Sequence, residues 1–216
     1  MSILINITSY NRLPMLNNLL KQLKGNDIIV WDDKSSFKIV KSDVAFHRFR
    51  VNHGKKLAWK KFKYIFETLK ETDYKYYFIL PDDIELCDDF INKAINIWES
   101  IKDDKKICLS FSNPNRCTKQ QFTYVETKEV VNVILTGWVD MMFMFTKDFL
   151  KEIEIDEIPL SRWNENELLG SGIGSQISNK LVNADYNLYN CKNKMVEHLG
   201  NDNSLMNPIE RKNNPL

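Results

Sequence analysis

Tyr76-Tyr77-Phe78-Ile79-Leu80-Pro81-Asp82-Asp83-Ile84-Glu85 is the stretch that decides the fold. It opens on a short run of aromatic and branched side chains, which reads as a buried strand. Pro81 ends the run, because a residue without an amide donor cannot continue a central ladder. Asp82, Asp83 and Glu85 follow at once. Carboxylates this close repel, so the cluster calls for a partner, and a divalent cation is the obvious one. The strand end is also where ligands bind in open α/β sheets. The alternative is a solvated acidic turn before a helix over Asp88–Ser100, with Asp88 or Asp89 as its N-cap.

Outward from this stretch the pattern repeats. Ile3, Leu4, Ile5 and Ile7 mark a first buried strand, Ser2–Thr8, which runs into Thr8-Ser9-Tyr10-Asn11-Arg12-Leu13-Pro14. Ser9 or Asn11 is placed to cap a helix over Leu13–Leu23, with Pro14 in its first turn and Gly25 closing it. Asp27–Trp31 is a second strand, and it too ends in paired acids, Asp32 and Asp33. A short strand falls within Ala45–Val51, and a loop, Asn52-His53-Gly54-Lys55-Lys56, leads to a helix over Leu57–Glu71. Trp59, Phe62, Ile65, Phe66 and Leu69 form that helix's apolar face. A helix over Asp88–Ile101 and a strand over Lys106–Phe111 complete a β-α-β-α-β series. Its short connections predict a largely parallel sheet covered by helices.

Past about residue 112 the rhythm changes. Ser112–Gln121 is polar; Phe122–Val125 and Val130–Leu135 read as a hairpin, and Met141–Thr146 as a strand. A short helix over Asp148–Ile153 follows, then Gly170-Ser171-Gly172-Ile173-Gly174 before a helix over Ser175–Asn183. Tyr186–Cys191 and Lys194–Glu197 read as short strands, and the tail from His198 as surface wrapping.

At 216 residues the chain suits one α/β domain, and a net charge of +1 gives no global field that would draw a polyanion. Locally, His47, Arg48, Arg50, His53, Lys55, Lys56, Lys60, Lys61 and Lys63 interleave with Phe46, Phe49, Trp59, Phe62 and Tyr64. A helix with a solvated face is the preferred reading of this segment over a nucleic-acid surface. The cysteines, Cys87, Cys108, Cys117 and Cys191, show no paired metal-ligand spacing. With no basic-then-apolar leader and no apolar run of about 20 residues, the expectation is a cytosolic protein without a membrane span.

Taken in order, Thr8-Ser9-Tyr10-Asn11-Arg12, Asp32-Asp33-Lys34-Ser35, Gly54 before a helix, Asp82-Asp83 after a strand, Gly137-Trp138 and Val196-Glu197-His198-Leu199-Gly200 resemble a GT-A glycosyltransferase of the family-2-like type. The resemblance covers nearly the whole chain. It implies a single domain over residues 1–216, a Rossmann-like three-layer sandwich with a mostly parallel central sheet. Residues 1–111 would bind a nucleotide sugar and residues 112–216 would form a smaller acceptor-side subregion with the tail. Thr8, Ser9, Tyr10, Arg12, Asp32, Asp33, Gly54, Lys55 and Asp82 are then the donor-binding residues, with Asp32 accepting from the base. Asp83 matches the last position of the family's DxD signature, whose first position is Pro81 here. Asp82 or Glu85 would supply the missing oxygen, directly or through water, and Asp83, Glu85 and His198 make the implied ligand set for Mn²⁺ or Mg²⁺. The acidic pair that usually opens the family's late helix is missing, so Asp140, Glu165 or Glu167 must supply the catalytic base. Asp140 is favoured, because an acid beside an apolar strand needs a reason.

Leu80-Pro81-Asp82-Asp83-Ile84, Trp138-Val139-Asp140, Ser171-Gly172-Ile173-Gly174-Ser175-Gln176 and the run from His198 to Arg211 resemble, more narrowly, the small phage-type glycosyltransferases associated with base-oxidising dioxygenases. That implies a UDP-sugar donor and 5-hydroxymethylpyrimidine in DNA as acceptor. The competing expectations are transfer to a cell-surface or capsular saccharide, a receiver-like phosphoryl-accepting module, and a binding-only relative lacking the base.

Overall fold

The computed structural model describes residues 2–37, 44–111, 133–139, 141–164, 166–167 and 169–199. The first half runs β1 (Ile3–Ser9), α1 (Leu13–Gln22), β2 (Asp27–Asp32), β3 (Ala45–Arg48), α2 (Ala58–Lys70), β4 (Tyr76–Pro81), β5 (Ile84–Leu86), α3 (Phe90–Ser100) and β6 (Lys106–Ser110). The second runs β7 (Val133–Thr136), β8 (Phe143–Phe145), α4 (Lys147–Glu152), a 3₁₀ turn (Leu160–Trp163), α5 (Ile173–Asn183), β9 (Asn187–Cys191) and β10 (Val196–His198).

One sheet runs in the order β3-β2-β1-β4-β8-β6-β9-β7. β3, β2, β1 and β4 are mutually parallel, as are β6 and β9. β8 runs antiparallel between β4 and β6, and β7 antiparallel on the edge beside β9. The fold is α/β, with helices on both faces of a mixed sheet. Strands from both halves of the chain share that sheet. Among the described residues no helix is long and apolar enough to cross a membrane.

Period-two alternation explains the two layers. Ile5 and Ile7 of β1 and Tyr76, Phe78 and Leu80 of β4 pack on one face, against Leu16, Leu19 and Leu20 of α1 and Ala94 and Trp98 of α3. Leu4, Tyr77 and Ile79 point to the other face, where Phe62, Phe66, Phe149, Ile173 and Ile177 of α2, α4 and α5 cover them. Each such fully buried side chain contributes about 1.5–3 kcal/mol. Asn6 is polar yet wholly buried in β1. It is satisfied on both sides, accepting from Trp31 Nε1 at 3.0 Å and donating to the Phe78 carbonyl at 3.2 Å.

Several local expectations change. Arg12, not Ser9 or Asn11, is the N-cap residue of α1, and it makes no side-chain cap bond. Ser9 is spent on Asp82 instead. Asp89 does precede α3, but in a left-handed conformation (φ +55°) and without a side-chain bond to the helix backbone; its carboxylate accepts from Asn92 at 2.6 Å. Ile84–Leu86, read as part of an acidic turn, is a strand, because β10 pairs with it. The expected strand over Phe122–Val125 and the tail from residue 200 lie outside the described residues.

Candidate functional site

From β1 the chain lays β2 and β3 to one side, then crosses to place β4 on the other. Connections leaving the carboxyl ends of β1 and β4 therefore diverge and open a crevice, the usual ligand position in such sheets. A cleft of about 660 Å³ lies there. Thr8, Ser9, Tyr10 and Arg12 line one wall with Asp82 and Asp83; Trp138, Arg162 and the start of α5 line another.

Arg12 reaches the acids because the β1–α1 turn doubles back. Asn11 adopts φ +53°, a conformation asparagine tolerates better than most residues. Its backbone N–H donates to Ser35 Oγ at 2.8 Å, and its side-chain carbonyl accepts from the Ser36 N–H at 2.8 Å. Arg12 Nη1 then lies 3.1 Å from Asp82 Oδ1 and 2.8 Å from Asp83 Oδ2. Asp82 Oδ2 accepts from Ser9 Oγ at 2.7 Å and from the Tyr10 N–H at 3.2 Å. Burial nevertheless pushes the Asp82 carboxyl up to about 6, outweighing Ser9 and Arg12. The partner that the paired aspartates require is thus, in the first instance, Arg12.

His198 arrives from the far end of the sequence. β10 pairs antiparallel with β5, His198 opposite Ile84, and the Leu199 N–H donates to the Asp83 carbonyl at 2.8 Å. His198 Nε2 comes within 3.6 Å of Asp83 Oδ1, and both residues line the cleft. Glu85 does not join them. It sits opposite Glu197, on the ribbon face away from His198, and is exposed. Among the described residues no group of three or more His, Cys, Asp or Glu side chains is arranged to hold a metal ion. Of the expected ligands, Asp83 and His198 are the two that come together in the cleft. A hard cation held by one or two protein groups completes its shell with phosphate oxygens and water.

The β2 acids have other work. Asp32 is fully buried, accepts from Arg48 Nε at 2.6 Å and from the Ser35 N–H at 3.1 Å, and is not among the residues lining the cleft. Asp33 does line it, but chiefly as an anchor. It lies 2.7 Å from His53 Nδ1, accepts the His53 and Gly54 N–H groups at 2.9 and 3.2 Å, and has Lys61 Nζ at 3.5 Å. The loop before α2 is thereby pinned so that Gly54, Lys55 and Lys61 face the cleft.

Across the cleft, α5 starts at a glycine-rich turn. Gly172 has φ +82°, and a Cβ there would meet the Arg162 guanidinium at 3.2 Å. A Cβ at Gly174 would stand 2.6 Å from the Val139 carbonyl. The glycines thus let the helix start press against the backbone beside Trp138, with Val139 N–H held by Ser178 Oγ at 2.9 Å.

Of the acids proposed as base, Asp140 and Glu165 lie outside the described residues. Glu167 is exposed and does not line the cleft; its backbone carbonyl accepts from Lys55 Nζ. Arg162, Met141 and Met142 line the cleft and were not expected there. Arg162 lies in a polar stretch whose only sequence signal is a cation beside Trp163. A scan of protein-family models and a search of curated proteins find no match to this chain.

Proposed function

We propose that this protein is a metal-dependent GT-A glycosyltransferase of the family-2-like type. In this reading it moves a sugar from a nucleotide donor, a UDP-sugar, to a hydroxyl acceptor, 5-hydroxymethylpyrimidine in DNA. One observation carries it. The cleft at the switch point is lined by the pair Asp83 and His198 and also by the cations Lys55, Lys61 and Arg162. A metal-bridged diphosphate needs both sides: donors for its cation and positive charge for its remaining oxygens. The resemblance of the motif series supports the same reading.

Asp83 and His198 would hold Mn²⁺ or Mg²⁺, which supplies Lewis-acid charge neutralisation on the departing diphosphate. Arg12 Nη1 sits between the two aspartates and offsets their mutual repulsion. Lys55 and Lys61, fixed through Asp33, provide ammonium groups at the phosphate position. Gly172, Gly174 and Ser175 at the start of α5 line the same space. Trp138 lines the cleft beside them. Asp140 remains the proposed base for the acceptor hydroxyl.

The test is a thermal-shift titration with UDP, GDP and CDP, each with and without Mn²⁺, on wild type, Asp83→Asn and His198→Gln. Ligand at about 100 times Kd adds about 2.7 kcal/mol, worth about 5–10 °C in a chain of this size. The expected result is a UDP shift that needs Mn²⁺ and shrinks in both variants. If no nucleotide shifts any of the proteins, the cleft is not a donor site and the transferase reading falls. If a shift occurs, transfer to hydroxymethylated against plain DNA decides the acceptor.

A further inference from the structure

We propose that the outer face formed by β3, the loop after it and the first turns of α2 is a docking surface for a nucleic-acid strand with exposed bases. Its role as the acceptor's seat rests on the transferase reading; its binding of a strand does not. From Ala45 to Phe66 the sequence carries Arg48, Arg50, Lys55, Lys56, Lys60, Lys61 and Lys63 and no acid. A merely solvated helix face would mix signs, as α2 does further on at Glu67 and Lys70.

The fold divides these cations into two sets. Arg48 turns inward to Asp32, Lys61 to Asp33, and Lys55 to the cleft. Arg50, Lys56 and Lys60 stay exposed and Lys63 half-buried, and none has an ion-pair partner among the described residues.

Beside them stands a platform of rings. Tyr64 is 45% exposed. Its ring centroid lies 4.9 Å from His47, 5.6 Å from Phe49 and 6.1 Å from Trp31. Trp31 and Phe49 are buried beneath it, so the platform is rigid. Burial lowers the His47 pKa, so near neutral pH that ring adds aromatic surface rather than charge. Lys60 and Tyr64 are one helical turn apart and share a face. An exposed aromatic among uncompensated cations matches a chain that alternates phosphates and flat rings.

The surface is continuous with the site. Phe49 packs edge-on against His53 at 4.9 Å, and Asn52, Gly54 and Lys55 of the same loop line the cleft. A strand seated on the outer cations therefore approaches the cleft over its lip, where a single unstacked base can enter.

The test is fluorescence anisotropy of a short labelled single-stranded oligodeoxynucleotide on the full chain, without nucleotide sugar. RNA and blunt duplex serve as further arms, and heparin as a polyanion without bases. The four outward cations predict a slope of log affinity on log salt of about −3, at about 0.7 per single-strand phosphate contact. That is a loss of about 50-fold between about 50 and 200 mM salt. Lys60→Glu with Lys63→Glu should flatten the slope by at least about 1.4. Tyr64→Leu should weaken binding at least about fivefold with the slope unchanged, and Tyr64→Phe should keep wild-type affinity.

Absence of strand binding overturns the proposal. So does a Tyr64→Leu protein that binds as wild type while heparin competes as well as DNA, because the face is then only a cationic patch. The UDP and Mn²⁺ thermal shift on the same samples separates the two readings. A protein that shifts with UDP but ignores strands refutes this surface alone. One that binds strands but ignores nucleotides leaves the surface standing and removes the transferase.

Discussion

Replacing Asp82 with asparagine should stabilise the protein at neutral pH and do nothing to it in acid. The Asp82 side chain is almost wholly buried, and its carboxyl is pushed from 3.8 up to about 6, chiefly by desolvation. Below the unfolded-state value both states are protonated, and ionisation costs nothing. Between about 4 and 6 the folded state holds the proton more tightly, so stability falls as pH rises. Above about 6 the full cost is present. A rise of about two units at about 1.4 kcal/mol each gives about 3 kcal/mol. The amide keeps the carboxyl's shape, and its carbonyl oxygen can still accept from Ser9 Oγ and the Tyr10 N–H. It carries no charge to desolvate. Urea unfolding of wild type and Asp82→Asn across pH 4 to 8 reads the difference. The two proteins should coincide near pH 4. The variant should be more stable by up to about 3 kcal/mol at pH 7.5, a gain of roughly 6–12 °C in Tm. A difference that does not change with pH refutes the reasoning. So does a variant less stable at pH 7.5, which would mean that the Arg12 pair more than offsets burial.

Gly174→Ala should cost about 1–3 kcal/mol in the same assay, because its Cβ would stand 2.6 Å from the Val139 carbonyl, a backbone atom that cannot move aside. Gly170→Ala, with nothing within 4 Å, is the control and should be near neutral; equal effects at the two sites would refute the packing argument. Arg48→Met strands the fully buried Asp32 without its cation at 2.6 Å and should cost about 2–3 kcal/mol, less than a wholly enclosed pair because Arg48 is one-third exposed. The double variant Asp32→Asn, Arg48→Met should recover most of that loss, and a double-mutant coupling near zero would show that the pair is not a unit.

The buried strands of the sheet were legible from residues alone. The short apolar runs Ile3–Ile7 and Tyr76–Leu80 and the helical spacing of Leu16, Leu19, Leu20 and Leu23 are local signals, and the observed elements follow them within a few residues. β5 was not legible. Ile84-Glu85-Leu86 has no strand signature strong enough to stand by itself, and it becomes a strand only when β10 supplies hydrogen bonds. The roles of the acids were only half legible. Asp32 and Asp33 are neighbours of the same residue type, yet one is closed off by Arg48 and the other faces the cleft holding a loop. Which way each carboxylate points depends on partners 16 and 20 or more residues away, and no periodicity encodes that.

By itself the sequence determined an α/β chain with acids at the ends of successive strands, because hydrophobic period and the missing amide of Pro81 act over a few neighbouring residues. Only the tertiary structure decided which acids share a site. Crossing from β2 and β3 to β4 set the cleft between β1 and β4. A two-strand ribbon carried His198 to within 3.6 Å of Asp83 and turned Glu85 away. Arg12, folded back by the left-handed turn at Asn11, supplied the counter-charge. These are long-range pairings set by packing and register, and a side chain's partner across the fold is invisible to spacing along it.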